Sequence, residues 1–170
     1  MTIAYLGLGA NLGKMLNTLQ DAIAALAQQT DIVVRAGSSF YRSAPVQAMG
    51  ADYVNCVVEI ETPLKPHSLL KVMMDIEAHF GRTRPYPNAP RTLDIDLLLY
   101  GELCLDEAGL TVPHPRLTER AFALVPLLEL APEIDIPQQG RAVDFLASVA
   151  AQHISRIVGE SAFSEAKHAC

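Results

Sequence analysis

The chain has 170 residues, of which half are hydrophobic and 19% charged, with a formal net charge of -6. That balance fits one soluble globular domain with a real core. It argues against nucleic acid as the main partner, since domains that bind it present basic surfaces. Cys56, Cys104 and Cys170 are too few and too scattered for a disulfide framework or a zinc site. No apolar run reaches membrane-spanning length, and the N-terminus lacks the basic region of a signal peptide. A reduced, cytoplasmic compartment is expected, with no membrane association.

The first segment, 2–9 (TIAYLGLG), is apolar and β-prone and runs into Gly9-Ala10-Asn11, so a strand leading into a turn is predicted. Leu12, Leu16, Leu19, Ile23 and Leu26 then recur at helical steps and predict an amphipathic helix. Residues 32–42 read as a second strand and 53–62 as a third. In the third, Val54, Cys56, Val58 and Ile60 share one face, and Tyr53, Asn55, Val57 and Glu59 share the other. Pro66 suits the first turn of a second helix with Leu69, Met73, Ile76 and Phe80 as its core stripe, which Gly81 ends. A proline-rich loop over 82–91 leads to a fourth strand, 92–100. Its faces are predicted as Leu93, Ile95, Leu97, Leu99 and Asp94, Asp96, Leu98, Tyr100. Gly101-Glu102 reads as a turn and Thr111–Pro115 as a short extended piece. Thr118 is predicted to cap a helix from Glu119 to about Leu130, stopped by Pro132. A last short helix is expected within 141–152 and a frayed tail after Gly159. The order is strand, helix, strand, strand, helix, strand, then an α-rich extension. It predicts an α+β fold of the ferredoxin-like βαββαβ type, with one catalytic domain over 1–160 and a frayed tail over 161–170.

The densest chemistry lies in Gly81–Leu97, GRTRPYPNAPRTLDIDL. Asp94 and Asp96 sit two apart in a strand, on one face and roughly 7 Å apart along it. Such carboxylates suit hard cations like Mg²⁺. Arg82, Arg84 and Arg91 beside them suit phosphate oxygens. Carboxylates for metal plus guanidinium groups are the parts of phosphoryl or pyrophosphoryl transfer. His114, held between Pro113 and Pro115, reads either as a phosphate contact or as a turn histidine. Arg116 and Arg120 read as phosphate contacts or as surface partners of Glu119 or Glu129. Glu77 reads as an arginine partner or as an ordinary helix-surface acid. Tyr53 and Asn55, with Phe122 opposite, suit a flat heterocycle stacked and bonded at its edge, or simply a core. Gly9-Ala10-Asn11-Leu12-Gly13 lacks the Lys-Ser/Thr ending of a P-loop and reads as a structural turn. No covalent nucleophile is visible.

The ordered segments YLGLGANLG, SSFYRS, DYVNCVVEIET, IEAHFGRTR, APRTLDIDLLLYG and LTVPHPRLTERAFAL resemble the 6-hydroxymethyl-7,8-dihydropterin pyrophosphokinases of folate biosynthesis, over about residues 3–150. The resemblance implies transfer of the β,γ-pyrophosphate of ATP to the hydroxymethyl oxygen of the dihydropterin, with AMP as the other product. It implies two Mg²⁺ ions on Asp94 and Asp96, with Arg82 and Arg91 acting at the reacting phosphates. Glu77, Arg84, Thr111, His114 and Arg120 would serve ATP. Ser43, Ala44, Val46, Tyr53, Asn55 and Phe122 would serve the pterin. A monomer is expected, with ATP and the pterin as its partners. Asn88 and Ala89 stand where many members have an aromatic residue and a glycine, Met74 where some have a polar residue, and Gly109 where some have an arginine. The alternatives are a non-catalytic pterin or nucleotide binder, and a kinase that moves one phosphoryl group to another small alcohol.

Overall fold

The structure is a computed structural model and describes residues 1–11, 15–43, 53–81 and 93–162. Arg82, Arg84, Arg91, Ala44 and Val46, which carry part of the expected site, lie outside the described residues.

The apolar alternation at the start makes β1 (Thr2–Ala10), which runs through Gly9 rather than turning there. α1 (Met15–Ala27) follows and buries Leu19, Ala22, Ile23 and Leu26, the periodic residues and one alanine between them. The single strand expected over 32–42 is instead two, β2 (Val33–Gly37) and β3 (Ser39–Ser43). Ser38 makes the break. It is fully buried; its N–H donates to the Val57 carbonyl at 2.9 Å, and its Oγ accepts from the Val57 N–H at 2.9 Å. A side chain thus replaces one ladder contact where the chain bends, so no buried backbone group is orphaned there. Both strands pair with β4 (Tyr53–Thr62), the longest of the sheet.

α2 (Pro66–Phe80) carries proline in its first turn and buries Leu69, Met73 and Ile76. Gly81 ends it by donating to the Glu77 carbonyl at 2.8 Å, with φ of -102° rather than the left-handed cap that glycine often supplies. β5 (Asp94–Tyr100) then returns beside β1. Register shifts between Tyr5 and Leu6, so the simple alternation expected for β5 fails at its end. Leu98 and Leu99 both join one core cluster, and Tyr100 crosses to the other, where its hydroxyl reaches the Leu64 carbonyl. An extra residue in one strand of a pair produces this change of face.

The hairpin of β6 (Leu105–Glu107) and β7 (Leu110–Val112) holds the piece expected to be merely extended. A 3-10 turn, Leu117–Glu119, precedes α3 (Ala121–Leu130), so the helix starts later than expected. Thr118 is not its cap. Gln152, distant in sequence, accepts from the Ala121 N–H at 2.9 Å and donates to the Glu119 carbonyl at 2.7 Å. Short strands β8 (Asp135–Ile136) and β9 (Gly140–Arg141) follow, and the last short helix expected within 141–152 is a 3-10 helix, Ala142–Val149. β10 (Ile154–Ser161) follows and runs past Gly159, after which fraying was expected. It pairs with β3, and Ala162 is buried with its N–H on the Ser38 carbonyl at 2.7 Å.

The result is a mixed α/β fold on an antiparallel sheet, ordered β10-β3-β4-β1-β5 with β2 also on β4. One face packs on α1 and α2 through Leu6, Leu8, Leu19, Leu26, Leu69 and Met73. Part of the other packs on α3 through Tyr5, Val57, Leu98, Leu124 and Leu127. No helix among the described residues is long and apolar enough to cross a membrane.

Candidate functional site

The strand register sets the site. Gly9 of β1 lies opposite Asn55 of β4 on one side and Asp94 of β5 on the other. Gly7 lies likewise between Val57 and Asp96. Residues paired across a ladder project to the same face, so Asn55 and the two aspartates share the face that α3 only partly covers. Two strand spacings separate Asn55 from Asp94, roughly 10 Å. The residue between them has no side chain. The pterin half and the metal half of the expected site therefore stand abreast over a glycine gap.

That gap is held open by close packing. A Cβ on Gly9 would lie 2.8 Å from Asn55 Oδ1. Asn55 is 5% exposed and its Nδ2 donates to Ser43 Oγ at 2.8 Å, so Ser43 fixes the amide. Gly9 was legible only as a turn residue in the sequence; its part in the site depends on which strand lies beside it. Tyr53 is partly buried at the open end of β4 on the same face.

Asp94 and Asp96 are both partly exposed at the head of β5, as a hard-cation site open to a phosphate chain requires. Their neighbours at Ile95 and Leu97 turn into the opposite core and anchor the strand. Among the described residues no three His, Cys, Asp or Glu side chains cluster as a preformed metal cage. Two carboxylates fit a Mg²⁺ ion that takes its remaining ligands from substrate phosphates and water.

His114 stands beside this pair, its Nε2 3.8 Å from Asp96 Oδ1. The backbone N–H of Arg116 donates to His114 Nδ1 at 3.1 Å. With Nδ1 accepting, the neutral ring carries its proton on Nε2, the nitrogen that faces Asp96. Burial pushes the imidazole pKa below its ordinary value; Asp96 opposes this, and Arg120 and Arg116 add to it. The main chain is anchored too, with the His114 N–H on the Leu98 carbonyl at 2.9 Å. The preceding Val112–Pro113 bond is cis.

Arg120 and Phe122, assigned separately in the sequence, meet at the start of α3. The Arg120 guanidinium lies 5.4 Å from the Phe122 ring centroid. Thr111 sits on β7 with its hydroxyl 3.1 Å from Asp106 Oδ1. Glu77 is partly buried on α2, in the helix layer that packs on the face away from Asn55. Glu129 is no surface partner of Arg116 or Arg120. It accepts from the Ser39 N–H at 2.9 Å, from Ser39 Oγ at 2.6 Å and from the Tyr41 hydroxyl at 2.8 Å, pinning the end of α3 to β3. Burial works to raise its pKa, but those donors outweigh it and hold the carboxyl below its ordinary value. The Tyr41 hydroxyl, desolvated and facing that carboxylate, is pushed up to about 12.

The groove between α1 and α2, lined by residues such as Gln29, Asp75, His79 and Phe80, belongs to the opposite face of the sheet and to none of these groups.

The sequence profile described as 7,8-dihydro-6-hydroxymethylpterin-pyrophosphokinase (HPPK) matches residues 5–132. A 2-amino-4-hydroxy-6-hydroxymethyldihydropteridine pyrophosphokinase of Synechocystis sp. is 44% identical over 140 residues, 82% of this chain and 72% of that protein. One of the same name from Pseudomonas aeruginosa is 37% identical over 156 residues, 91% of this chain and 96% of its own length. Among solved structures, an HPPK-DHPS in complex with substrates superposes with a TM-score of 0.70 at 12% identity, over 86% of this chain and 43% of that one. Plasmodium falciparum HPPK-DHPS with pteroate gives 0.67 at 14% identity, over 86% and 44%. The chain thus spans less than half of those longer chains, and at such identity they establish the fold alone. The profile, which runs through both halves of the site, and relatives of near-equal length establish the rest: the chain belongs to the 7,8-dihydro-6-hydroxymethylpterin-pyrophosphokinase family.

Proposed function

We propose that this protein transfers the β,γ-pyrophosphate of ATP to the hydroxymethyl oxygen of 6-hydroxymethyl-7,8-dihydropterin and releases AMP, a step of folate biosynthesis. The observation that carries the reading is the row Asn55–Gly9–Asp94 on one sheet face, in a chain of this family. It offers a heterocycle site and a phosphate–metal site one glycine apart, as a transfer between two bound substrates needs.

In this reading Tyr53 and Phe122 enclose the pterin ring, and Asn55, steadied by Ser43, bonds its edge together with backbone near Ala44 and Val46. The hydroxymethyl arm reaches across Gly9. Asp94 and Asp96 would hold Mg²⁺, two ions by family resemblance, which when bound neutralises the triphosphate and polarises the alcohol. His114, with its proton on Nε2, donates to an ATP oxygen; it is set up as a donor and not as a base. Arg120, Arg84 and Thr111 contribute to ATP binding; Glu77, whose helix packs on the other face of the sheet, is given to ATP by family resemblance alone. Arg82 and Arg91 neutralise charge that builds between the β-phosphorus and the leaving AMP. The core from β1 to β5 is read as ferredoxin-like, residues 1–160 as one catalytic domain, and the protein as a cytoplasmic monomer.

Incubation with ATP, Mg²⁺ and the hydroxymethyl dihydropterin, followed by nucleotide chromatography, tests the proposal. AMP formed in step with pterin consumption supports it. ADP would favour a single phosphoryl transfer, and unchanged ATP a protein that only binds.

A further inference from the structure

Among the described residues, the Oδ1 atom of Asn11 is a buried side-chain oxygen with no hydrogen-bond partner. A buried carbonyl deprived of a donor destabilises the fold, and native proteins keep few of them. Carrying the alternation of β1 one step past Ala10 puts Asn11 on the face of Gly7 and Gly9, in the row beyond Asn55–Gly9–Asp94 and abreast of Tyr53. β1 is the strand between β4, with the pterin-side residues, and β5, with the carboxylates. A substrate held at one side and reacting at the other must pass over β1, and the part that passes is its hydroxymethyl arm.

We infer that Asn11 is a substrate-positioning residue whose Oδ1 accepts the hydrogen bond of the pterin's hydroxymethyl O–H. The inference rests on the proposed function and deepens it. Of the residues facing this gap, Gly7 and Gly9 offer no side chain, Asn55 is turned by its Nδ2 bond to Ser43 toward the ring edge, and Asp94 and Asp96 stand on the metal side. Asn11 is the acceptor that β1 presents there. An O–H bond aimed at Asn11 fixes the rotation of the arm and leaves an oxygen lone pair for the incoming phosphorus. The missing partner is then supplied by the substrate, and the cost of the orphaned oxygen is borne only by the free protein.

The test is a cycle of one substitution against one substrate change. Dissociation constants for 6-hydroxymethyl-7,8-dihydropterin and for 6-methyl-7,8-dihydropterin, which lacks the hydroxyl, are measured by calorimetry on wild type, Asn11→Ala and Asn11→Leu. An unreactive ATP analogue and Mg²⁺ are present throughout. Both variants are expected to bind the hydroxymethyl compound roughly ten-fold more weakly, the scale of one hydrogen bond. Binding of the methyl compound should stay within about two-fold, since it made no such bond. The melting temperature of the free variants should be equal to or above that of wild type, because an orphaned carbonyl has gone; a residue with a purely structural role would lower it. Equal losses on the two pterins, or variants less stable than wild type, would overturn the inference while leaving the proposed function standing. Wild-type protein that bound neither pterin would overturn both.

Discussion

Gly9→Ala is the smallest change that tests the arrangement of the site. The added methyl would sit 2.8 Å from Asn55 Oδ1, well inside van der Waals contact. Asn55 has nowhere to go, being buried and held at 2.8 Å from Ser43 Oγ on its other side. Overpacking of this kind costs about 1–3 kcal/mol, and losing the Asn55–Ser43 bond adds about 1 kcal/mol. The gain from a stiffer unfolded chain offsets about 0.4–1 kcal/mol. The net loss is about 1–3.5 kcal/mol, a fall in melting temperature of roughly 3–10 °C for a domain of this size. The displaced amide should also weaken pterin binding while ATP binding holds. Thermal melts and pterin titrations of Gly9→Ala, Asn55→Ala and the double variant measure both effects. The methyl should cost much less once Asn55 is truncated. Strictly additive losses, or a Gly9→Ala protein with wild-type stability and pterin affinity, would refute the packing argument.

Other substitutions probe the remaining parts. Asp94→Asn or Asp96→Asn should lower kcat by a factor of roughly 10³ with the fold intact, as expected for loss of a main electrostatic stabiliser; near-normal turnover in Mg²⁺ would remove these carboxylates from the site. His114→Ala should raise the KM for ATP more than that for the pterin, whereas Arg120→Ala should disturb both, since its guanidinium lies on the Phe122 ring. Steady-state kinetics with each substrate varied in turn separates the two cases. Glu129 supplies the pH test. Its folded carboxyl titrates below the ordinary 4.5, so its stabilising effect is complete above that value and is lost as pH falls through the lower, folded value. Glu129→Gln should flatten the acid side of a plot of urea midpoint against pH, and an unchanged slope would contradict the assignment.

Much of this was legible in the sequence because it is local. The bounds of β4, the stripe of α2 and the shared face of Asp94 and Asp96 follow from periodicity and proline placement alone. What was not legible depends on partners far along the chain. Ser38 breaks a strand because Val57 is there to receive it. Gln152 caps α3 in place of Thr118, and Leu99 changes face because β1 and β5 slip past one another. Fraying was expected after Gly159, where the residues are small and polar, yet β10 runs on to Ser161 because its pairing is set by β3. The same holds in the site. Candidate pterin and metal residues were found separately, but the glycine that sets them abreast was read as a turn. The buried, unpartnered oxygen of Asn11 has no signature in sequence at all.

The central claim is the transfer of two phosphorus atoms to a pterin alcohol, and ³¹P NMR of the reaction mixture measures it most directly. With ATP, Mg²⁺ and 6-hydroxymethyl-7,8-dihydropterin, the account predicts that the ATP signals give way to the AMP singlet and a pair of coupled doublets from a pyrophosphoryl ester. ADP signals beside a lone monophosphate ester, or an ATP spectrum that does not change, would contradict it.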